Sequence, residues 1–145
     1  MSTPFIYIAN WKMYLTFEQT THFITKNYDE LINLSNTSSQ NLFLTPSFPS
    51  LYTTAKMFDS TSVKIGAQDC SDHLAGAFTG QVSAYDLKIM GCNYCIIGHS
   101  ERRHYNKETN EIIAKKFELL IDQEISPVIC IGEQEQEHNN GSTLK

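Results

Sequence analysis

Titratable side chains follow two short apolar runs of the sequence, at the point where each run ends. Lys12 comes three residues after the run FIYIA, and His99 comes directly after the run YCIIG. An ammonium group can bind an anion, and an imidazole can polarise a carbonyl group or carry a proton. A single lysine or histidine is more often an ordinary surface or structural residue. The pair predicts a site only if the fold brings the two run ends together.

Five strand-length apolar runs alternate with longer amphipathic segments. The runs cover residues 5–9, 42–45, 63–68, 94–98 and 127–131. Runs that are apolar on both faces suit parallel strands covered on both sides. Alternation with helices indicates right-handed crossovers and a parallel α/β sheet, either doubly wound or closed into a barrel. In both architectures chemistry gathers at the carboxyl ends of the strands, so we expect Lys12 and His99 on one rim.

Capping residues mark the first and third of the intervening helices. Thr16 and Gln19 form a capping box ahead of the first helix. A second, short helix is expected over residues 49–58. Ser83 is an N-cap candidate for a third helix, which Gly91 ends because glycine accepts the left-handed C-cap conformation.

The residues after His99 predict a short helix with the sequence SERRHY. The positive end of its dipole would disfavour the imidazolium and keep His99 a neutral hydrogen-bond donor. We expect Glu101 to pair with Lys12 across the rim and fix the position of the ammonium group. Asn106 is predicted to open a further helix, the fourth between strands, whose apolar stripe is Ile113, Phe117 and Leu120.

The composition excludes several classes of function. Eleven Lys and Arg residues stand against sixteen Asp and Glu, for a net charge of −5 and no long basic block, so no nucleic-acid partner is expected. The first apolar run is too short for a signal peptide or a membrane span, and we expect no membrane association. Four cysteines without an export signal indicate reduced thiols in the cytoplasm.

Two alternative sites are weaker. Cys92 and Cys95 have C-x-x-C spacing, but there is no second pair, and the two side chains would point to opposite faces of an extended chain. Asp69, Asp72 and His73 could surround a divalent ion, although a solvated loop is the simpler interpretation. The glycines form neither a dinucleotide fingerprint nor a Walker loop. We therefore expect no metal and no cofactor.

Five short motifs occur in the order and approximate spacing typical of one enzyme family. They are NWKM (10–13), GAQD (66–69), GAFTG (76–80), GHSERR (98–103) and CIGE (130–133). In these motifs the sequence resembles the triosephosphate isomerase family. The resemblance implies a (β/α)8 TIM barrel, of which residues 1–145 would form a single incomplete domain with about four and a half units. It also implies cofactor-free interconversion of two small phosphorylated trioses, dihydroxyacetone phosphate and glyceraldehyde 3-phosphate, by a homodimer.

The resemblance also assigns roles. Asn10 and Lys12 would bind substrate, and His99 would be the catalytic electrophile. Ser100 and Glu101 would support His99. Thr79 would lie in a loop that reaches the partner subunit of the dimer.

Some positions depart from the family pattern. Gln81 stands where the family usually has an acid, which weakens a charge pair with an arginine of the SERR stretch. Tyr14 and Leu15 replace the usual Asn-Gly, so the first loop should pack differently. The family's general base is a Glu on a loop after the sixth strand, and it has no counterpart in this sequence; Glu133 is a poor substitute. The chain is therefore expected to be inactive alone, and the alternative interpretation is a noncatalytic half-barrel that assembles with a separate carboxyl-terminal partner.

Overall fold

A single sheet of five parallel strands forms the centre of the structure, a computed structural model that describes residues 5–36, 40–133 and 139–141. The strands are β1 (Phe5–Asn10), β2 (Gln40–Thr45), β3 (Lys64–Ala67), β4 (Tyr94–Ile97) and β5 (Ser126–Ile129). Each strand pairs in parallel with the next, in the order β1-β2-β3-β4-β5. The fold is thus a half-barrel of the α/β class, and all five predicted strands are confirmed.

Helices connect the strands, as the alternation of the sequence predicts. They are α1 (Phe17–Ser35), α2 (Phe48–Met57), α3 (Ala84–Met90), α4 (Ser100–Tyr105) and α5 (Asn110–Asp122). The capping box of α1 is confirmed, because the Gln19 amide N–H donates to Thr16 Oγ1 at 3.2 Å and the Thr16 amide N–H donates to Gln19 Oε1 at 2.9 Å. Ser83 caps α3, and Gly91 ends it in the left-handed conformation with φ 93°.

The predicted start of the last helix is wrong. Asn106 ends α4, where its amide N–H donates to the Arg102 carbonyl at 2.9 Å. Lys107 then adopts a left-handed backbone with φ 57°, which a continuous helix cannot contain. The Thr109 hydroxyl caps α5 instead, accepting a hydrogen bond from the Ile112 amide.

The predicted apolar stripe of α5 is only partly right. Ile113 and Leu120 are buried, but Phe117 is 38% exposed. Lys116, one residue earlier, is buried in its place. The helix therefore turns a charged residue toward the sheet, and this residue needs buried partners of opposite charge.

The middle of the sheet is the best-packed part of the described chain. The Tyr94 side chain of β4 is fully buried and lies across β3, where a Cβ atom on Gly66 would come within 2.4 Å of its ring. Its hydroxyl shares a 2.6 Å hydrogen bond with the hydroxyl of Thr45 at the end of β2, and its ring packs against Phe43. Only glycine at position 66 leaves room for the Tyr94 ring to cross β3. Through this ring and its hydroxyl, one side chain of β4 contacts both β3 and β2.

The two outer strands are far more exposed. On β1, four successive apolar residues from Phe5 to Ile8 are between 39% and 65% exposed. On the other side of the sheet, Ile129 at the end of β5 is 45% exposed. Within the described residues, β1 and β5 each pair with one neighbour only, so each presents a free edge of backbone hydrogen-bonding groups.

Candidate active site

Lys12 and Glu101, which the sequence predicts to pair across the rim, do contact each other there. Lys12 lies just after β1, and Glu101 lies in the first turn of α4. The Lys12 Nζ to Glu101 Oε1 distance is 2.6 Å, which confirms the expected ion pair. The hydrogen bond from Lys12 lowers the pKa of the Glu101 carboxyl, and the same bond raises the pKa of the Lys12 ammonium. Both side chains remain more than a third exposed, so the ammonium can still reach a ligand.

His99 joins this pair through Glu101. The Glu101 amide N–H donates to Nδ1 of His99 at 3.3 Å, and Glu101 Oε2 lies 3.6 Å from the same nitrogen. A nitrogen that accepts an amide hydrogen bond carries no proton, so the neutral ring holds its proton on Nε2. The imidazole is 21% exposed and lines the same cleft as Asn10 and Lys12. The geometry thus leaves Nε2 of the imidazole free for a ligand beside an ammonium group.

The backbone around Lys12 has an unusual conformation. Lys12 has φ 51°, a left-handed value that costs a residue with a side chain about 1–2 kcal/mol. Its amide N–H donates to Asn10 Oδ1 at 2.9 Å, and its carbonyl accepts from Nε2 of Gln68 at 2.8 Å. Two side chains therefore hold the peptide units on either side of this strained residue.

Gln68 is the residue of this cleft that the sequence reasoning missed. It entered the sequence argument only as one letter of the GAQD motif. The available signal was its place directly after β3, where a polar side chain at a strand end joins the same rim as Lys12 and His99. Its partners lie 56 and 23 residues away along the chain, so no local pattern predicts these contacts.

A group of four charged residues, three of them buried, adjoins the cleft. Lys116 donates to Asp69 Oδ1 at 2.7 Å and to Glu108 Oε1 at 2.5 Å, while Arg102 Nε lies 2.8 Å from Asp69 and 2.6 Å from Glu108. Burial raises the pKa of the Asp69 carboxyl, although the hydrogen bond from Lys116 and the charge of Arg102 oppose this shift. The alternating charges tie α4 and α5 to the end of β3, and so fix the helix that begins after His99.

A sequence model of the triosephosphate isomerase family matches residues 5–145. The triosephosphate isomerase of Aquifex aeolicus is 41% identical over 137 residues, which cover 94% of this chain and 54% of the relative. That of Dictyoglomus thermophilum is 42% identical over 139 residues, or 95% of this chain and 54% of the relative. The chain belongs to the triosephosphate isomerase family. It spans about half the length of the relatives that it matches.

The family loop predicted to reach a partner subunit projects from the rim. The Ser71 amide N–H donates to the Val82 carbonyl at 2.8 Å and closes the base of this loop, while the Gly76–Gly80 segment, including Thr79, is exposed. Thr79 lines a different cleft from the one that holds His99. Within the described residues, the structure does not bring Thr79 to the imidazole.

The departure at Gln81 has a visible consequence. Gln81 Oε1 accepts a hydrogen bond from the Ser71 hydroxyl. Arg102 of the SERR stretch pairs with Asp69 and Glu108. The arginine is thus held by one acid just after β3 and one in the α4–α5 connection. The other departure, at Tyr14, leaves that side chain 82% exposed.

Three of the four cysteines lie buried in the core. Burial raises the pKa of the Cys92 thiol to about 12 and raises that of Cys95 well above its ordinary value. In the parts of the chain that the structure describes, no group of three or more His, Cys, Asp or Glu side chains comes together around a potential metal position. Asp69 and Asp72 are already engaged, by Lys116 and His73 respectively. No helix among the described residues is long and apolar enough to cross a membrane.

Proposed function

We propose that this chain supplies the electrophilic part of a triosephosphate isomerase active site, which interconverts dihydroxyacetone phosphate and glyceraldehyde 3-phosphate through an enediolate. The observation that carries the proposal is that Lys12 and His99 both contact Glu101 and line one cleft. Family membership supplies the reaction, because the matched relatives are named for it.

His99 would polarise the substrate carbonyl. The proton on Nε2 is available for a hydrogen bond to the carbonyl oxygen, while Nδ1 is occupied by the Glu101 amide. A neutral imidazole suits an enediolate, because a donor aimed at the oxygen stabilises the negative charge that develops there. The same nitrogen can then help to move a proton between the two substrate oxygens.

Lys12 would bind the negatively charged parts of the substrate. An ammonium group has three N–H donors, and Glu101 takes one of them. The other two can reach the phosphate and the enediolate oxygen. Asn10 would assist in binding the substrate, and Ser100 and Glu101 would support His99 from the start of α4.

The remaining catalytic group would come from outside the matched half. Removal of the proton from carbon needs a general base, and we assign this role to the family's Glu in the part of the relatives that this chain does not cover. Residues 1–145 would then be one incomplete barrel domain that is inactive alone. We also propose that the complete protein needs no cofactor, works in the cytoplasm, and forms a homodimer in which the loop carrying Thr79 contacts the partner.

A complete barrel tests the proposal. This chain would replace the matched stretch of the Aquifex aeolicus relative, and turnover would be measured in a coupled isomerase assay. We expect isomerase activity that falls about 10²- to 10⁴-fold in His99→Ala, since a positioned proton-transfer group contributes roughly that much. The ungrafted 145-residue chain should be no more active than its own His99→Ala variant. A folded grafted barrel with no turnover, or one indifferent to His99→Ala, would refute the proposal.

A second candidate is a noncatalytic half-barrel that assembles with a separate carboxyl-terminal partner. The observation in its favour is the pair of free edges at β1 and β5, with exposed apolar residues on both. Under this interpretation Lys12 and His99 would have no part in turnover in any assembly. A grafted barrel that loses its activity in His99→Ala argues against this alternative.

A further inference from the structure

We propose that Gln68 is a positioning residue for Lys12: its side-chain amide holds the left-handed backbone of Lys12, and so aims the ammonium group at the cleft. This inference rests on the proposed role of Lys12 in binding the substrate. It deepens that role by identifying the residue on which the placement of the ammonium depends.

The first step of the argument is that the conformation of Lys12 needs support. Its φ of 51° is unfavourable for any residue with a Cβ atom, and such strain persists only where the surroundings enforce it. The next two residues provide little packing, because Met13 is 93% exposed and Tyr14 is 82% exposed.

The second step concerns where Gln68 places its two amide protons. Nε2 donates to the Lys12 carbonyl at 2.8 Å and to the Thr45 carbonyl at 3.2 Å. The Thr45 carbonyl also accepts the Trp11 amide at 3.1 Å. One side chain from the end of β3 therefore fastens the residue after β1 to the end of β2.

The third step is that this anchor is itself rigid. Thr45 is fully buried, and its hydroxyl bonds to the Tyr94 hydroxyl at 2.6 Å in the middle of the sheet. The support of Lys12 thus runs from the best-packed core through Thr45 and Gln68. On the other side, the ammonium group reaches Glu101 at 2.6 Å. If the backbone of Lys12 relaxes to ordinary angles, its side chain leaves in another direction and this ion pair is lost.

The test measures the Lys12–Glu101 pair directly, without turnover. The pKa of the Glu101 carboxyl is followed by NMR in the 145-residue chain, in Gln68→Met and in Lys12→Met. Methionine matches the length of glutamine but has no donor and no charge. The titratable groups that face Glu101 are Lys12 and His99, and His99 is retained in every variant. We expect Gln68→Met to raise the pKa of Glu101 as far as Lys12→Met does.

Gln81→Met serves as the matched control, because Gln81 lies near the same rim and bonds to Ser71. It should leave the pKa of Glu101 at the wild-type value. A Gln68→Met protein that keeps the wild-type amide spectrum and the wild-type Glu101 pKa would overturn the proposal, since a merely structural Gln68 leaves the ion pair in place.

If Gln68→Met loses the wild-type fold, two NMR measurements on the unmodified chain test the proposal instead. A scalar coupling across the hydrogen bond between Gln68 Nε2 and the Lys12 carbonyl carbon would support the proposal. Side-chain amide protons of Gln68 that exchange with water as fast as those of the exposed Gln19 would overturn it. Neither readout depends on isomerisation. The grafted barrel can therefore fail as an enzyme while Gln68 is shown to position Lys12. Equally, the barrel can be active while the role of Gln68 is refuted.

Discussion

Strands β1 and β4 have similarly apolar sequences but opposite environments. In β4 all four residues, Tyr94 to Ile97, are at most 4% exposed, whereas four successive apolar residues of β1 are at least 39% exposed. The difference arises from neighbouring strands: among the described residues, β4 pairs with a strand on each side, whereas β1 pairs with β2 alone. An apolar strand sequence therefore predicts that other elements pack on both faces of the strand. The described residues cover β1 less than its sequence predicts.

The same contrast explains how a half-barrel can keep the groups of the candidate site in place. His99 follows the buried strand β4 and needs no support from the edges. Lys12 follows the exposed strand β1, but Gln68 and Glu101 connect it inward, to β3 and α4. The candidate cleft thus combines Asn10 and Lys12 from the edge strand β1 with side chains that connect Lys12 to the middle of the sheet.

The largest expected effect is a difference in stability loss between alanine substitutions at Tyr94 and at Tyr7. Tyr94→Ala removes a fully buried ring and leaves the Thr45 hydroxyl without its partner, so we expect a loss of about 3–5 kcal/mol in the free energy of unfolding. Tyr7→Ala on β1 removes a ring that is 48% exposed and should cost less than about 1 kcal/mol. Urea denaturation of both variants measures the difference. Equal losses would mean that β1 is covered as well as β4.

Substitutions of two lysines compare how much a buried and an exposed ion pair contribute to stability. Lys116→Met leaves the buried carboxylates of Asp69 and Glu108 with Arg102 as their remaining partner, and should destabilise the chain by about 3 kcal/mol. Lys88→Met breaks an exposed pair with Glu124 and should cost less than about 1 kcal/mol. Denaturation midpoints at low and high salt measure both. A large, salt-insensitive loss for Lys88→Met would contradict this account.

The smallest effect concerns thiol reactivity. Cys130 follows β5 and is partly exposed, whereas Cys70, Cys92 and Cys95 are buried. Iodoacetamide should label Cys130 first in the native chain, and all four cysteines after unfolding. Because the thiolate is the reactive form and the pKa of Cys92 is raised to about 12, its labelling should stay slow through neutral and mildly alkaline pH. Mass spectrometry identifies the labelled residue, and early labelling of Cys92 would show that the middle of the sheet opens.

Local signals predicted much of this molecule. The strands, the capping box at Thr16 and the C-cap at Gly91 depend on a few adjacent residues, and they were confirmed. Asn106 was mistaken for an N-cap because asparagine and threonine both cap helices, and the left-handed Lys107 that separates α4 from α5 leaves no clear mark in the sequence.

The remaining features depend on distant contacts. The burial of Lys116 follows from Asp69, 47 residues away, and the function of Gln68 follows from Lys12, 56 residues away. The exposure of β1 could not be read from its sequence either, because its composition is that of a covered strand. Rim position alone was enough to pair Lys12 with Glu101, since the carboxyl ends of parallel strands must share an edge.

The most direct test of whether the described half positions His99 for the proposed electrophile role is the tautomer of His99 in the 145-residue chain. The imidazole nitrogen shifts would be measured by ¹⁵N NMR at neutral to mildly alkaline pH, with His99→Gln used to assign the signals. We predict a proton fixed on Nε2 and an unprotonated Nδ1 that accepts the Glu101 amide hydrogen bond. A proton on Nδ1, or a ring that averages between both tautomers, would contradict the claim that these residues preassemble the site.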